Sequence, residues 1–215
     1  MPLEDAQGQA TPATRVILVH GLLLFAGAMG WFATRLRECG HATETFGYHS
    51  ILGGTEAVQA ALAERLGAGG PVQVVAHSLG GLLALETLAR HPGLPVSRVV
   101  CLGTPLCGSG AAESLARRPV LRWWLGRSAA LLRQGCTHWP EGVSVGMVAG
   151  DRPHGLGALF ARFEGGHDGT VAVAETLHPG LADHVVVPAS HSGLIFSRAA
   201  VARAAQFLDA GRFWR

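Results

Sequence analysis

Six short runs of aliphatic and β-branched residues recur along this chain, and every consecutive pair is separated by a stretch long enough to hold a helix. They are RVILVHG (15–21), TETFGY (43–48, the weakest), VQVVAHS (72–78), VSRVVCLGTP (96–105), VSVGMVAGD (143–151) and HVVVPAS (184–190). Continuous Val/Ile runs suit strands buried on both faces, whereas a sheet with one wet face alternates apolar and polar residues. Strands spaced by crossover-length segments pair in parallel. The segments between them read as helices. GWFATRLREC (30–39) sets Phe32, Leu36 and Cys39 on one face with Arg35 and Glu38 off it. TEAVQAALAERLGAGG (55–70) opens on a Thr cap and stops in glycines. LGGLLALETLARH (79–91) halts before Pro92, and SGLIFSRAAVARAAQFLD (192–209) reads as one closing helix. The expected class is α/β, with about six mostly parallel strands flanked by helices.

Composition agrees with a buried sheet: 48% of the 215 residues are hydrophobic and 15% are charged, which excludes a disordered chain and suits one domain. That domain is expected over residues 14–215, after a polar tail (1–13) that lacks the apolar core of a signal peptide. No apolar run reaches the roughly 18 residues of a membrane span. A net charge of +2 with scattered arginines argues against nucleic acid as a partner. The four cysteines lack metal-type spacing and read as reduced thiols of a cytoplasmic protein, Cys101 as a buried, inert one inside a strand. Residues 106–142 break the strand–helix rhythm. They hold three of the five tryptophans, Trp123, Trp124 and Trp139, and are expected to form an insertion.

The third strand ends in a serine, in AHSLGG (76–81). In a parallel sheet, side chains at the carboxyl ends of strands line the ligand crevice. The stretch is one residue from G-x-S-x-G, with Ala76 in the first glycine position. A sharp strand–turn–helix needs small residues two before and two after the serine, because helix and strand come very close. Ala76 and Gly80 meet that need, and Ser78 becomes the candidate nucleophile. Short Ser/Gly patterns also occur in ordinary turns. The strand before it and the helix after it set this one apart.

A serine hydroxyl attacks only when a base takes its proton. Of eleven histidines, His191 lies just past the last strand, on the same rim as Ser78, although a helix-start histidine capped by Ser190 or Ser192 would look the same. His184 begins that strand at the opposite rim. A carboxylate must orient the base. Asp151 ends the fifth strand and Asp168 sits in a loop between it and the sixth; spacing alone ranks them equal, and either suits a plain turn. For the oxyanion of an acyl transfer, the amide of Leu79 opens a helix directly after the serine, and Gly21 lets the amide of Leu22 serve as second donor. His20 is expected to hold that loop and not to transfer protons.

Together VHGLL, VVAHSLGGLLAL, LGTPLCGS, DGTV and ASHSGL, in the order Ser…Asp…His, resemble the α/β-hydrolases of the lipase/esterase type, close to bacterial lipases and the GPI inositol-deacylase-like branch. The resemblance spans roughly residues 14–209. It implies a minimal α/β-hydrolase fold that starts at the oxyanion-loop strand, with residues 106–142 in the cap or lid position. There the tryptophans either pack over the sheet edge or shape an apolar acyl pocket. It favours Asp168 as the acid, since related lipases carry the carboxylate in a D-G-[LTV]-V segment, with Asp151 as the alternative. It implies a cofactor-free esterase or lipase acting on a small ester with an apolar acyl part, with room for transient contact with a lipid surface. Acyltransferases and thioesterases share the triad, and an inactive hydrolase fold used as a binding module is the rival from another class.

Overall fold

The computed structural model describes residues 14–22, 26–49, 54–116, 128–154, 163 and 165–214. The tail 1–13 lies outside them, as do residues 117–127 of the insertion with Trp123 and Trp124.

The six runs form six strands: β1 (Arg15–Val19), β2 (Ala42–Phe46), β3 (Val72–His77), β4 (Val96–Leu102), β5 (Ser144–Gly150) and β6 (Asp183–Val187). They make one sheet, ordered β2-β1-β3-β4-β5-β6, in which every pairing is parallel. Between them lie α1 (Gly30–Glu38), α2 (Thr55–Gly67), α3 (Leu79–Arg90), α4 (Gly110–Ala116) and α5 (Ala129–Gln134), and α6 (Arg198–Ala210) closes the chain.

Side chains alternate across each strand, so one run of residues feeds two cores. Ile17, Val19, Val74, Ala76, Val99, Cys101, Val145 and Met147 pack with Val58, Leu62 and Leu66 of α2 and Leu82, Leu85 and Leu88 of α3. On the other face, Val16, Leu18, Val75, Val100, Leu102 and Val148 meet Phe32 and Leu36 of α1 and Val201, Ala204 and Phe207 of α6. For the helices that link strands, the division follows from handedness. The chain steps one way from β1 to β2 and the other way from β2 to β3 and onward, and right-handed crossovers in opposite directions put their helices on opposite faces. The reversal leaves a crevice between the carboxyl ends of β1 and β3, the usual place for a ligand in such sheets. Residues 20–22 and 78–79 stand there.

Two local expectations need correction. Residues 192–209 are not one helix: a 3₁₀ turn, Ser192–Phe196, comes first, and α6 starts after Ser197, whose Oγ accepts the Ala200 amide at 3.2 Å. The cap of α2 is Gly54, with Thr55 already helical. Within the insertion, Trp139 stacks on His178 at 4.1 Å and sits against Gly180, so this tryptophan packs beside the segment that leads into β6. Buried Glu86 of α3 ties the same loop down, accepting the amides of Thr137 and His138 and the Thr137 hydroxyl at 2.7–3.1 Å. Among the described residues no helix is long and apolar enough to cross a membrane.

Candidate active site

At the end of β3 the backbone turns abruptly. Ser78 has φ 54° and ψ −122°, the only non-glycine residue with positive φ among those described. That conformation costs on the order of 1–3 kcal/mol and persists only where the surroundings impose it. Here the imposition is steric and polar. A Cβ on Gly80 would lie 2.5 Å from the His20 carbonyl oxygen and 2.6 Å from that of Val19, so α3 can start this close to β1 only with glycine there. A Cβ on Gly81 would strike Thr104, whose hydroxyl donates to the Ser78 carbonyl at 3.0 Å.

His191 comes from the turn after β6. Its amide donates to the Asp168 carbonyl at 2.9 Å, and the Ser190 hydroxyl caps the amide of Gly193 at 3.2 Å. The helix-start reading and the rim placement therefore both hold. Its imidazole lies between two partners: Nε2 is 3.0 Å from Ser78 Oγ and Nδ1 is 2.7 Å from Asp168 Oδ2. A hydrogen on Nδ1, donated to the carboxylate, leaves Nε2 bare to accept the serine proton. Asp168 is 1% exposed, and its other oxygen accepts the amides of Thr170 and Val171 at 2.9 and 2.7 Å. Burial alone would raise its carboxyl. His191 beside it and those two amides outweigh burial and hold it below the usual carboxylate range. Asp151, the other sequence candidate, is exposed and faces Arg152 at 3.8 Å; it does not join this chain of bonds.

Two glycines that the sequence did not single out make room for the pair. Gly103, at φ 56°, leaves space where a Cβ would sit 3.2 Å from both His191 Nδ1 and Asp168 Oδ2. At Gly150 a Cβ would be 2.4 Å from the Ala189 carbonyl oxygen and 3.0 Å from Asp168 Cβ.

The candidate oxyanion donors stand at the crevice. Leu79 is the first residue of α3, so its amide has no partner within the helix. Gly21 packs directly on the elbow, where a Cβ would lie 3.0 Å from Ser78 Cβ, and Leu22 follows it. His20 braces this loop. Its Nδ1 donates to the Gly21 carbonyl at 2.9 Å, its Nε2 accepts the Tyr48 amide at 3.4 Å, and its ring stacks on Tyr48 at 4.2 Å. The Tyr48 hydroxyl donates to the His20 carbonyl at 2.8 Å.

The family model that matches this sequence, over residues 35–165, is that of the alpha/beta hydrolase fold. Among curated proteins none matches. Among solved structures, a Bacillus licheniformis lipase in its mature form superposes with a TM-score of 0.75 at 21% identity, covering 94% of this chain and 93% of its own. A metagenomic carboxyl esterase gives 0.63 at 20% identity, over 84% of this chain and 65% of the esterase. A pyrethroid hydrolase gives 0.64 at 17% identity, over 92% and 98%. At these identities the likeness is one of fold.

Proposed function

The chain belongs to the alpha/beta hydrolase fold family, and from that premise we propose that it hydrolyses carboxylic esters with an apolar acyl part through an acyl-enzyme on Ser78. One observation carries this reading: an unbroken line of hydrogen bonds runs from Ser78 Oγ through both nitrogens of His191 to a buried Asp168 carboxylate.

His191 Nε2 takes the Ser78 proton as Oγ attacks the ester carbonyl carbon. Negative charge gathers on the carbonyl oxygen, where the amides of Leu79 and Leu22 receive it; one such donor is worth about 3–4 kcal/mol in the transition state. The intermediate collapses, the leaving oxygen takes the proton from His191 Nε2 and departs as the alcohol, and the acyl group stays on Ser78. A water then gives its proton to His191 and attacks the acyl carbonyl, the acid departs, and the proton returns to Ser78. Asp168 stays ionised throughout and stabilises the imidazolium. These residues need no cofactor for the steps. The names lipase and carboxyl esterase borne by two structurally similar proteins support an ester as substrate.

A panel of chromogenic esters, from short to long acyl chain, tests the reading. Turnover is expected, and Ser78→Ala should lower it by up to about a millionfold if the three residues act as a unit. A fluorophosphonate probe should label the parent at Ser78. A folded parent that neither turns over any ester nor takes the label is an inactive fold. Product analysis with an added alcohol or a thioester separates acyl transfer and thioester cleavage from ester hydrolysis.

A further inference from the structure

His77, the residue beside the serine, has no part in the steps above, yet it is 2% exposed at the centre of the site. Its Nε2 lies 2.9 Å from the main-chain carbonyl oxygen of His191. A carbonyl accepts only, so Nε2 carries the hydrogen and Nδ1 is bare. Among the described residues Nδ1 has no hydrogen-bond partner, and it faces Gly21, where a Cβ would come within 2.9 Å of it. The ring is tilted against that of His191, with centroids 4.8 Å apart. One imidazole thus touches both the oxyanion loop and the turn that presents the base.

We propose that His77 is a positioning residue: its Nε2–H, donated to the His191 carbonyl, fixes the turn from which the His191 imidazole reaches both Ser78 and Asp168. The inference rests on the reading of His191 as the general base. His191 hangs from the first turn after an edge strand, and a short 3₁₀ turn follows. Its amide is tied to Asp168 and its carbonyl to His77, so the two bonds grip both sides of one residue. A misplacement of about 1 Å costs up to roughly a hundredfold in rate, which is what a lost grip puts at risk.

The donor is also insensitive to pH. The titratable groups facing His77 are His191, Asp168 behind it and His20 on the oxyanion loop. Burial, then the neighbouring His191, pushes the His77 imidazole down to about 3. It stays neutral across about pH 5–8, the interval in which ordinary histidines change charge. A lysine or arginine in its place would set a fixed charge beside the base. A neutral donor gives orientation without that penalty.

The test compares His77→Leu, which removes the donor, with His77→Gln, whose amide nitrogen reaches about where Nε2 lies. Two readouts are used on the full chain. One is the far-downfield proton resonance of the His191 Nδ1–H held by Asp168, which needs no turnover. The other is kcat, KM and the pH profile on the best ester of the panel. In His77→Leu the resonance should weaken or vanish, kcat should fall about 10–100-fold with KM within about threefold, and the acid limb of the profile should move. His77→Gln should restore the resonance, the limb and most of kcat. If the leucine variant does not fold, His77→Asn, too short to reach the carbonyl, replaces it. A folded donor-less variant with the parent's resonance and kcat overturns the inference, and so does a glutamine variant that loses as much as leucine. A parent with the resonance but no turnover sinks the esterase reading instead, and the resonance alone then decides the role of His77.

Discussion

Asp168 and Asp151 both follow β5, and at the scale of single residues the contrast between them is the sharpest test of the site. Replacing the Asp168 carboxylate by a carboxamide lets the amide donate to Nδ1 and draws the imidazole hydrogen to Nε2, the wrong nitrogen for a base. Asp168→Asn should therefore cut kcat by about 10⁴-fold, while Asp151→Asn, an exposed residue beside Arg152, should stay within about twofold. Steady-state rates on one ester decide it, and equal losses would dissolve the assignment. Activity should also fall as pH drops, because a protonated imidazole cannot accept the Ser78 proton. The Asp168 carboxyl is held below the usual carboxylate range, so the acid keeps its charge through that range. Ser78 and His191 were legible in the chain because each ends or follows a strand on a rim that the pattern itself predicts. The two aspartates stood equal by spacing, since loop closure and not sequence distance aims their side chains. His77 was left without a role, because its partner is a main-chain carbonyl 114 residues away and a carbonyl has no residue type to announce it.

At the scale of elements, the β3–α3 elbow depends on backbone approach more than on side chains. Gly80→Ala would drive a Cβ into two main-chain oxygens of β1 and the loop after it, neither of which can swing aside. Overpacking of this kind costs about 1–3 kcal/mol, more where backbone must move. The variant should melt earlier than the parent and label more slowly with a fluorophosphonate, since Ser78 moves with the helix start. Gly30→Ala is the control: a Cβ there meets nothing within 4 Å, its φ is not positive, and it opens α1. It should raise stability by a few tenths to about 1 kcal/mol and leave labelling unchanged. Thermal melts and labelling rates on the two variants separate elbow geometry from general glycine effects. The edge strands β2 and β6 are largely part-exposed, and β2 was the weakest run for that reason. In contrast, β1, β3, β4 and β5 were readable from their apolar runs because strands buried on both faces leave few polar positions. Element ends were less so. The Thr55 cap proved to be Gly54 and the closing helix breaks at Ser197, because backbone angles set those points and several residue types fit each.

For the whole molecule, burying imidazoles inside a two-faced sheet predicts that the fold is labile to mild acid. A buried neutral histidine takes up a proton less readily than its unfolded counterpart. The unfolded chain therefore binds more protons below the ordinary imidazole value, and stability falls as pH falls. His77, lowered from 6.5 to about 3, contributes stability that is fully present above pH 6.5 and lost progressively down to about 3. At about 1.4 kcal/mol per unit this is on the order of 5 kcal/mol, with more than half gone by about pH 4.5. His20, His41 and His184, each lowered chiefly by burial, add to the same slope. Asp168 and Glu86, whose carboxyls are held down, extend it: their contributions are present above about pH 4 and lost as pH falls through their own lowered values. Both classes push in one direction, and the charge reinforces it, since a chain at +2 with eleven histidines becomes strongly cationic on acidification. Domains of this size hold about 5–15 kcal/mol in all, so the transition should fall well above the pH at which the last carboxylates protonate. Urea midpoints should stay close between pH 8 and 6.5 and drop at pH 5.5 and again at 4.5, and His77→Gln should flatten the descent below pH 6.5. A midpoint that holds steady from pH 7 to 4.5 would mean these rings take up protons as readily in the folded as in the unfolded chain, and the neutral His77 ring would be wrong with them.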